Sequence, residues 1–373
     1  MRIGIDGREL LHKRTGVGRY LAELCGQWLR SGEGREHEFL FYTPEPATDL
    51  SVLGPPFSVA PGSRFCHRSV PGSSDTWWEQ VTLPTAAAGD GLDLFFAPAY
   101  SAPLRLGVPT VVTMHDVSFL AHPEWFGWRE GLRRRWLATH AMARAEAIIS
   151  VSAFTRTEIL RLCDLRPDRV RVVLSGITPR IETSAEPDLP PMILFVGSIL
   201  NRRHLPTLIR AFASVRRTFT TARLTVVGDD RTYPKQNLAS SIQQLRVEDA
   251  VSLRSYVSES ELDELYQRAT VFVFLSEYEG FGFTPLEAMS AGVPVVVGDT
   301  PVARELYGDA ALFVPVANAD ATATAITTLL ADRRLRDRQR QRAAAVLPAF
   351  TWTRAAEQTL DVLQSAAAVR SSG

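Results

Sequence analysis

Cysteine is scarce. Only Cys25, Cys66 and Cys163 occur in 373 residues, an odd number in no metal-ligand spacing. That excludes a disulfide framework or a cysteine metal site and reads as reduced thiols of a cytoplasmic protein. Net charge is missing too: 41 basic residues balance 41 acidic ones. No bulk positive field exists to hold nucleic acid or another polyanion, although a local basic patch remains open. No apolar run approaches the ~18–20 residues of a membrane span. The first residues, MRIGIDGREL, carry charges where a secretory signal would be apolar. Any membrane association would therefore be peripheral. Finally, no Asp-x-Asp pair is present to seat a metal beside a diphosphate.

What is present is alternation. Apolar, strand-length runs begin at Arg2 (RIGID), Phe39, Leu92, Thr110, Ala147 and Val170, separated by amphipathic stretches. One such stretch covers residues 17–30. Another covers 131–145, where Leu132, Trp136, Leu137 and Ala141 are expected to share a face. Residues 182–191, ETSAEPDLPP, are acidic and proline-rich without an apolar period and read as a linker. The alternation then restarts: strands at Met192, Arg223, Val251, Thr270 and Pro294, with helices over 205–217, 235–245, 259–268 and 286–291. Repeated strand–helix–strand units imply parallel, doubly wound sheets. The expected architecture is α/β, two Rossmann-like domains facing across a cleft. The first spans 1–181 and the second 192–350. Ala/Arg-rich helices over 319–330 and 335–346 follow, then a last helix from Trp352, with 366–373 frayed.

The chemistry concentrates in SEYEGFGFTPLEAMSAGVP, residues 276–294. A strand delivers a glycine-bearing loop to a helix start marked by Thr284-Pro285, with proline at the first helical position. Unpaired N–H groups and the helix dipole favour an anion there. Gly280 and Gly282 admit close approach, and the backbone N–H groups from Phe281 through Phe283 to Thr284 could meet phosphate or sugar oxygens. Glu279 and Glu287 flank this loop and could hold hydroxyls. Thr284-x-x-Glu287 equally spells a helix capping box, and Glu279 could be a surface ion pair.

Three further motifs are weaker. Gly16 and Gly18 in TGVGRY open the first helix, but Leu21 stands where a dinucleotide fingerprint needs its third glycine. His115-Asp116 ends an apolar strand, a position open to a structural or a catalytic histidine. Arg202 and Arg203, after Gly197, arrive at a helix N-terminus, where cations oppose the dipole unless an anion is bound. They could equally be a solvated pair. Residues 122–136 interleave Trp125, Phe126, Trp128 and Trp136 with arginines. This is a lipid-surface pattern, or simply a solvated helix face.

In order and spacing, TGVGRY, MHDVSF, VGSILNRRHL and EGFGFTPLEAMSAGVPVV resemble glycosyltransferase family 4, the retaining nucleotide-sugar enzymes of the GT-B fold. The resemblance covers nearly the whole chain, and the last motif is its specific part. It implies an acceptor-binding first domain and a donor-binding second domain, with the C-terminal helix (352–368) crossing back to the first. It implies transfer from a nucleotide-diphosphate sugar to a glycan or lipid-linked acceptor, without a metal or other cofactor. Arg203 occupies the position of a family Lys on the donor diphosphate. His115 and Glu279 match residues beside the transferred sugar, and Glu287 one that binds ribose hydroxyls. His204 stands where Asn is common, and Ser198 where some members carry another Arg. The donor base would lie near Tyr256-Val257. A non-catalytic sugar-nucleotide binder of the same fold is the competing reading. A dehydrogenase fails on the missing glycine.

Overall fold

The computed structural model describes residues 1–11, 16–45, 64–72, 75–180 and 190–371. Thr15 of the glycine loop and nearly all of the expected linker lie outside them. The chain forms two compact units. One comprises Met1–Glu124, Trp128–Gly176 and Phe350–Gly373; the other comprises Trp125–Gly127 and Ile177–Ala349.

The first unit holds a seven-stranded parallel sheet. Its strands are β1 (Arg2–Asp6), β2 (Glu38–Thr43), β3 (Phe65–Ser69), β4 (Leu94–Ala97), β5 (Thr110–Met114), β6 (Ala147–Ser150) and β7 (Val170–Val172), in the order β3-β2-β1-β4-β5-β6-β7. Every residue of β4 is buried, as expected for a strand covered by helices on both faces. One cover is the helix Gly16–Arg30, whose Tyr20, Leu21, Leu24, Cys25 and Trp28 are buried at helical spacing. Trp28 stacks on Phe39 at 5.1 Å, and Phe39 on Phe65 at 4.7 Å. β3 was not expected. Its sequence, FCHRS, lacks an apolar run because it is an edge strand, half-buried beyond Phe65.

The second unit holds a six-stranded parallel sheet: β8 (Met192–Val196), β9 (Arg223–Val227), β10 (Val251–Arg254), β11 (Val271–Phe274), β12 (Val295–Gly298) and β13 (Ala311–Val314), in the order β10-β9-β8-β11-β12-β13. The helices Leu205–Thr218, Glu259–Arg268, Ala319–Ala331 and Arg333–Val346 accompany it. The sequence reading stopped at β12 and missed the helix Pro301–Tyr307 and β13. The expected helix over 235–245 is shorter, Leu238–Gln244, because Asn237 caps it by accepting from Ser240 N–H.

Three other expectations change. The last helix runs from Trp352 to Ser371 rather than fraying after residue 365. Leu363 and Ala366 are still buried there, so packing holds it. As the resemblance implied, this helix belongs to the first unit, where the Trp28 indole N–H donates to the Ala356 carbonyl at 3.0 Å. The expected shared face over 131–145 splits. Leu137 and Ala141 are buried with Gly131, Ala138 and Met142 in the helix Trp128–Arg144, while Leu132 and Trp136 are exposed. Small residues at 131, 138 and 141 let the helix approach the sheet on that side. Lastly, the helix after the acidic loop begins at Phe283, not with Pro285 at its first position behind a Thr284 cap. Gly282 is its N-cap in the left-handed region (φ +84°), with no side-chain cap. Pro285 is therefore its third residue, and no capping box forms there.

Candidate functional site

In the second unit the expected residues gather where β8 and β11 end, the pair of strands at which connections diverge to either side. Ligands of open α/β sheets sit at such a switch point. After β8 the chain turns at Gly197 (φ +138°) and passes through a 3-10 turn, Asn201–Arg203, to His204. His204 is left-handed (φ 49°, ψ 41°). Asn and His are among the few side chains tolerated there, which accounts for His at a position where Asn is common.

This turn aims Arg203 back across the strand ends. Its Nε donates to Glu279 Oε1 at 2.8 Å, and its Nη1 to the Ser198 carbonyl at 2.8 Å. The guanidinium lies 4.9 Å from the Phe274 ring centre. A Cβ on Gly197 would fall 2.7 Å from Arg203 Nη1, so the glycine makes room for the cation. Ser276 Oγ donates to the same Glu279 oxygen at 2.9 Å. The side chains of Arg203 and Glu279 are 14% and 15% exposed. The pair is thus sheltered yet reachable. Arg202 ties the two loops together differently: its carbonyl accepts from Glu277 N–H at 3.0 Å.

Tyr307, from the helix that sequence reading missed, fixes the glycine loop. Its hydroxyl donates to the Gly282 carbonyl at 3.1 Å. Burial, reinforced by the charge of Glu279 and opposed by Arg203, pushes the phenol well above its ordinary value, so it remains a donor. Phe281 is buried and its ring meets Phe283 at 4.9 Å. No motif surrounds Tyr307, so its role could not be read from its sequence context.

Glu287 faces elsewhere. It is 2% exposed. Its Oε2 accepts from the Tyr266 hydroxyl at 3.3 Å and lies 3.6 Å from Arg180 Nη2. Arg180 also pairs with Asp263 at 2.7 Å and Glu259 at 3.0 Å. Its backbone N–H donates to Ser290 Oγ at 2.9 Å. The sequence reading singled out neither Arg180 nor Tyr266.

A cavity of about 620 Å³ in this unit opens beside the ends of β9 and β10. It is lined among others by Gly228, Asp230, Lys235, Leu253 and Ser255. Tyr256 is exposed just beyond.

In the first unit, His115 follows β5 and Gly18 is buried in the first turn of the helix Gly16–Arg30. That helix brings Tyr20 edge-on to the His115 ring at 4.9 Å. Gly16 has open space where a Cβ would be, so packing does not demand glycine there. His115 Nε2 lies 2.7 Å from the Pro98 carbonyl. A carbonyl only accepts, so the ring carries its proton on Nε2 and leaves Nδ1 basic. Tyr100, left-handed at φ 52°, presents its ring to His115 at 5.6 Å.

Burial lowers the His115 imidazole to about 4, against the opposing pull of the Pro98 carbonyl and Asp116. The imidazole is therefore neutral through the physiological range. A lowered value means that the unfolded chain takes up the proton first. The stability involved is whole above pH 6.5, the ordinary value, and is lost as pH falls toward about 4. Wild type should lose more Tm than His115→Asn over that window in paired thermal melts. Parallel profiles would contradict the lowered value.

Sequence reading also missed an acidic–basic knot at the end of β1. Arg8 Nη2 lies 2.6 Å from both Asp6 Oδ2 and Glu79 Oε1, and Ser101 Oγ donates to that Glu79 oxygen at 2.6 Å. Asp6 and Glu79 are both buried. The charges at the end of RIGIDGRE were the available signal. None of the three cysteines forms a disulfide, and burial pushes each thiol up.

Residues 14–180 match the family described as Glycosyltransferase Family 4, and residues 178–346 that described as Glycosyl transferases group 1. The O-antigen chain mannosyltransferase B of Escherichia coli is 28% identical over 280 residues, covering 72% of this chain and 73% of that protein. The alpha-maltose-1-phosphate synthase of Mycolicibacterium smegmatis is 30% identical over 301 residues, covering 72% and 76%. Among solved structures, Anabaena HepE in complex with UDP and glucose superposes with a TM-score of 0.74 at 18% identity, covering 98% of this chain and all of that one. The chain belongs to glycosyltransferase family 4 and has the two parallel-sheet units of the GT-B fold.

Proposed function

We propose that the protein is a retaining, metal-independent hexosyltransferase. The donor is a nucleotide-diphosphate sugar, GDP-mannose-like or a UDP-sugar. The acceptor is a glycan or a lipid-linked glycan in polysaccharide assembly at the cytoplasmic face. The observation that carries this reading is the sheltered Arg203–Glu279 pair beside the left-handed Gly282 and an uncapped helix start. A mannosyl donor is supported by the Escherichia coli relative's name, and a uridine one by the UDP bound to HepE.

On this reading the protein stabilises charge rather than supplying a nucleophile. As the glycosidic bond breaks, the leaving diphosphate gains negative charge. Arg203, with Arg202 nearby, and the first-turn N–H groups after Gly282 meet it. Glu279 positions Arg203 and lies beside the sugar as it becomes oxocarbenium-like. His115, neutral, offers Nδ1 to a sugar hydroxyl. Glu287 serves the ribose hydroxyls and would give up its 3.6 Å contact with Arg180 to do so. The acceptor proton passes to the leaving phosphate, so no covalent glycosyl-enzyme forms.

Thermal unfolding with GDP, UDP and ADP in turn, in EDTA, tests donor binding. A nucleotide at about 100 times its Kd stabilises by ~2.7 kcal/mol, a shift of a few degrees. A shift with one diphosphate despite the chelator names the base. No shift with any of them favours an inactive relative of the same fold that binds no nucleotide, or a site that forms only with acceptor bound. Glu279→Gln should keep that shift and lose transfer by about 100-fold or more. Undiminished transfer, or a glycosyl group trapped on Glu279, would overturn the assignment.

A further inference from the structure

Arg180 lies near the start of the second unit and is fixed to the helix Phe283–Ser290. Its backbone N–H donates to Ser290 Oγ at 2.9 Å, and that hydroxyl donates to the Glu287 carbonyl at 2.8 Å. This clip needs only an N–H, so any residue but proline at this position would hold the chain on the helix. The side chain, 6% exposed, runs inward to the Glu287 carboxylate. Tethering does not explain why it is a guanidinium.

Packing does not explain it either. Among the described residues the buried Arg180 Nε finds no partner. An orphaned buried donor is destabilising where an apolar chain of similar volume is not. The charge itself is well secured. Burial opposes it, but Glu287, Asp263 and Glu259 hold the guanidinium well above its ordinary value. Nη1 is anchored by Asp263 at 2.7 Å and Glu259 at 3.0 Å, and the guanidinium carbon lies 5.5 Å from the Tyr266 ring centre. Nη2, by contrast, stands 3.6 Å from Glu287 Oε2, and the Tyr266 hydroxyl 3.3 Å from the same oxygen. Both separations exceed the usual hydrogen-bond lengths. A buried carboxylate needs a compensating charge. Glu287 has one from Arg180 without being locked to it by a short bond.

We propose that Arg180 is a positioning residue for donor recognition: its guanidinium, anchored on Asp263 and Glu259, supplies the counter-charge that lets the buried Glu287 accept hydrogen bonds from the ribose hydroxyls. This rests on the ribose role given to Glu287 above and names the residue on which that role depends. When Glu287 turns to the hydroxyls it leaves Nη2, but Nη1 keeps both of its anchors. The cation therefore stays beside the carboxylate, where a sheltered charge still acts strongly. The ribose is remote from the bond that breaks, so this contact is equal in the ground and transition states. Its loss raises the KM for donor and spares kcat.

The test compares GDP and UDP with dideoxy-GDP and dideoxy-UDP, which lack both ribose hydroxyls, by calorimetric titration of the full-length protein. Wild type should favour a ribonucleotide over its dideoxy analogue by about tenfold or more, the worth of a hydrogen bond to a charged group. Arg180→Gln should narrow the preference to about threefold, the worth of a neutral hydrogen bond, with dideoxy affinity unchanged. Arg180→Met fills the same volume without burying a polar group. It should act alike, and it serves if Arg180→Gln folds poorly. Arg180→Lys keeps the charge and should restore most of the preference. In transfer assays Arg180→Gln should raise donor KM about tenfold with kcat within about twofold. A wild-type preference that survives in Arg180→Gln and Arg180→Met would overturn the proposal and leave Glu287 on the ribose. Equal loss of both ligands would reduce Arg180 to a structural role. A wild type without any preference would overturn the proposal together with the ribose role of Glu287. Absence of all nucleotide binding would remove the donor site as well.

Discussion

Arg203→Ala should lower kcat/KM for sugar transfer by about a thousandfold, the upper range for removing one preorganised donor from a developing oxyanion. Two features set that magnitude. The guanidinium is held at both ends, by Glu279 and by the Ser198 carbonyl, so it loses little freedom when a diphosphate arrives. It is also sheltered, which strengthens its field. Arg203→Lys keeps the charge but cannot make both contacts at once. It should recover part of the loss, leaving a deficit of roughly tenfold. The fold should survive, because Glu279 retains Ser276 and is not fully buried. A cost of roughly 1–3 kcal/mol, below that of breaking a fully buried pair, corresponds to a few degrees of Tm. Transfer within tenfold of wild type in Arg203→Ala would remove this residue from the diphosphate site.

Gly282→Ala should be nearly as damaging by a different route. The residue sits at φ +84°, and a Cβ there would lie 2.2 Å from the Tyr307 hydroxyl. Left-handed backbone costs a residue with a side chain about 1–2 kcal/mol. The overlap adds more, and it breaks the bond from Tyr307 that fixes the loop. We expect a drop of several degrees in Tm and loss of nearly all transfer. Tyr307→Phe separates the two terms. In the double variant the steric conflict eases while the backbone strain remains, so stability should recover only in part. Additive effects of the two substitutions would show that the hydroxyl and the loop are not coupled.

The central strands were legible because parallel strands covered on both faces read as unbroken apolar runs, as VFVF and VVVG do. The edges were not: β3 carries a cysteine, a histidine and an arginine because one flank meets solvent. The acidic loop was legible because glycine spacing, proline and two carboxylates coincide within a few residues. What sequence could not supply was direction. Glu279 and Glu287 look alike on the page. Yet the left-handed start at Gly282 turns one toward Arg203 and leaves the other among Tyr266 and Arg180. Arg180 lies about a hundred residues from Glu287, so no local pattern could pair them. The same limit applies to the helix Trp128–Arg144. Periodicity marked a helix, but the side it buries holds Gly131, Ala138 and Met142 with Leu137 and Ala141, and leaves Leu132 and Trp136 outside.

The return of the helix Trp352–Ser371 to the first unit bears on the order in which the chain can fold as it leaves the ribosome. Ala355, Thr359 and Leu363 are fully buried, and Trp28 finds its acceptor only at Ala356. A Cβ on Gly176 would collide with the backbone of Trp352, so the two segments meet without clearance. The second unit, complete at Ala349, can close while the first still lacks its last helix. For the whole time of translating residues 177–349, Trp28 lacks the acceptor and the cover that the last helix gives it. The N-terminal half of this protein, made first, is finished last.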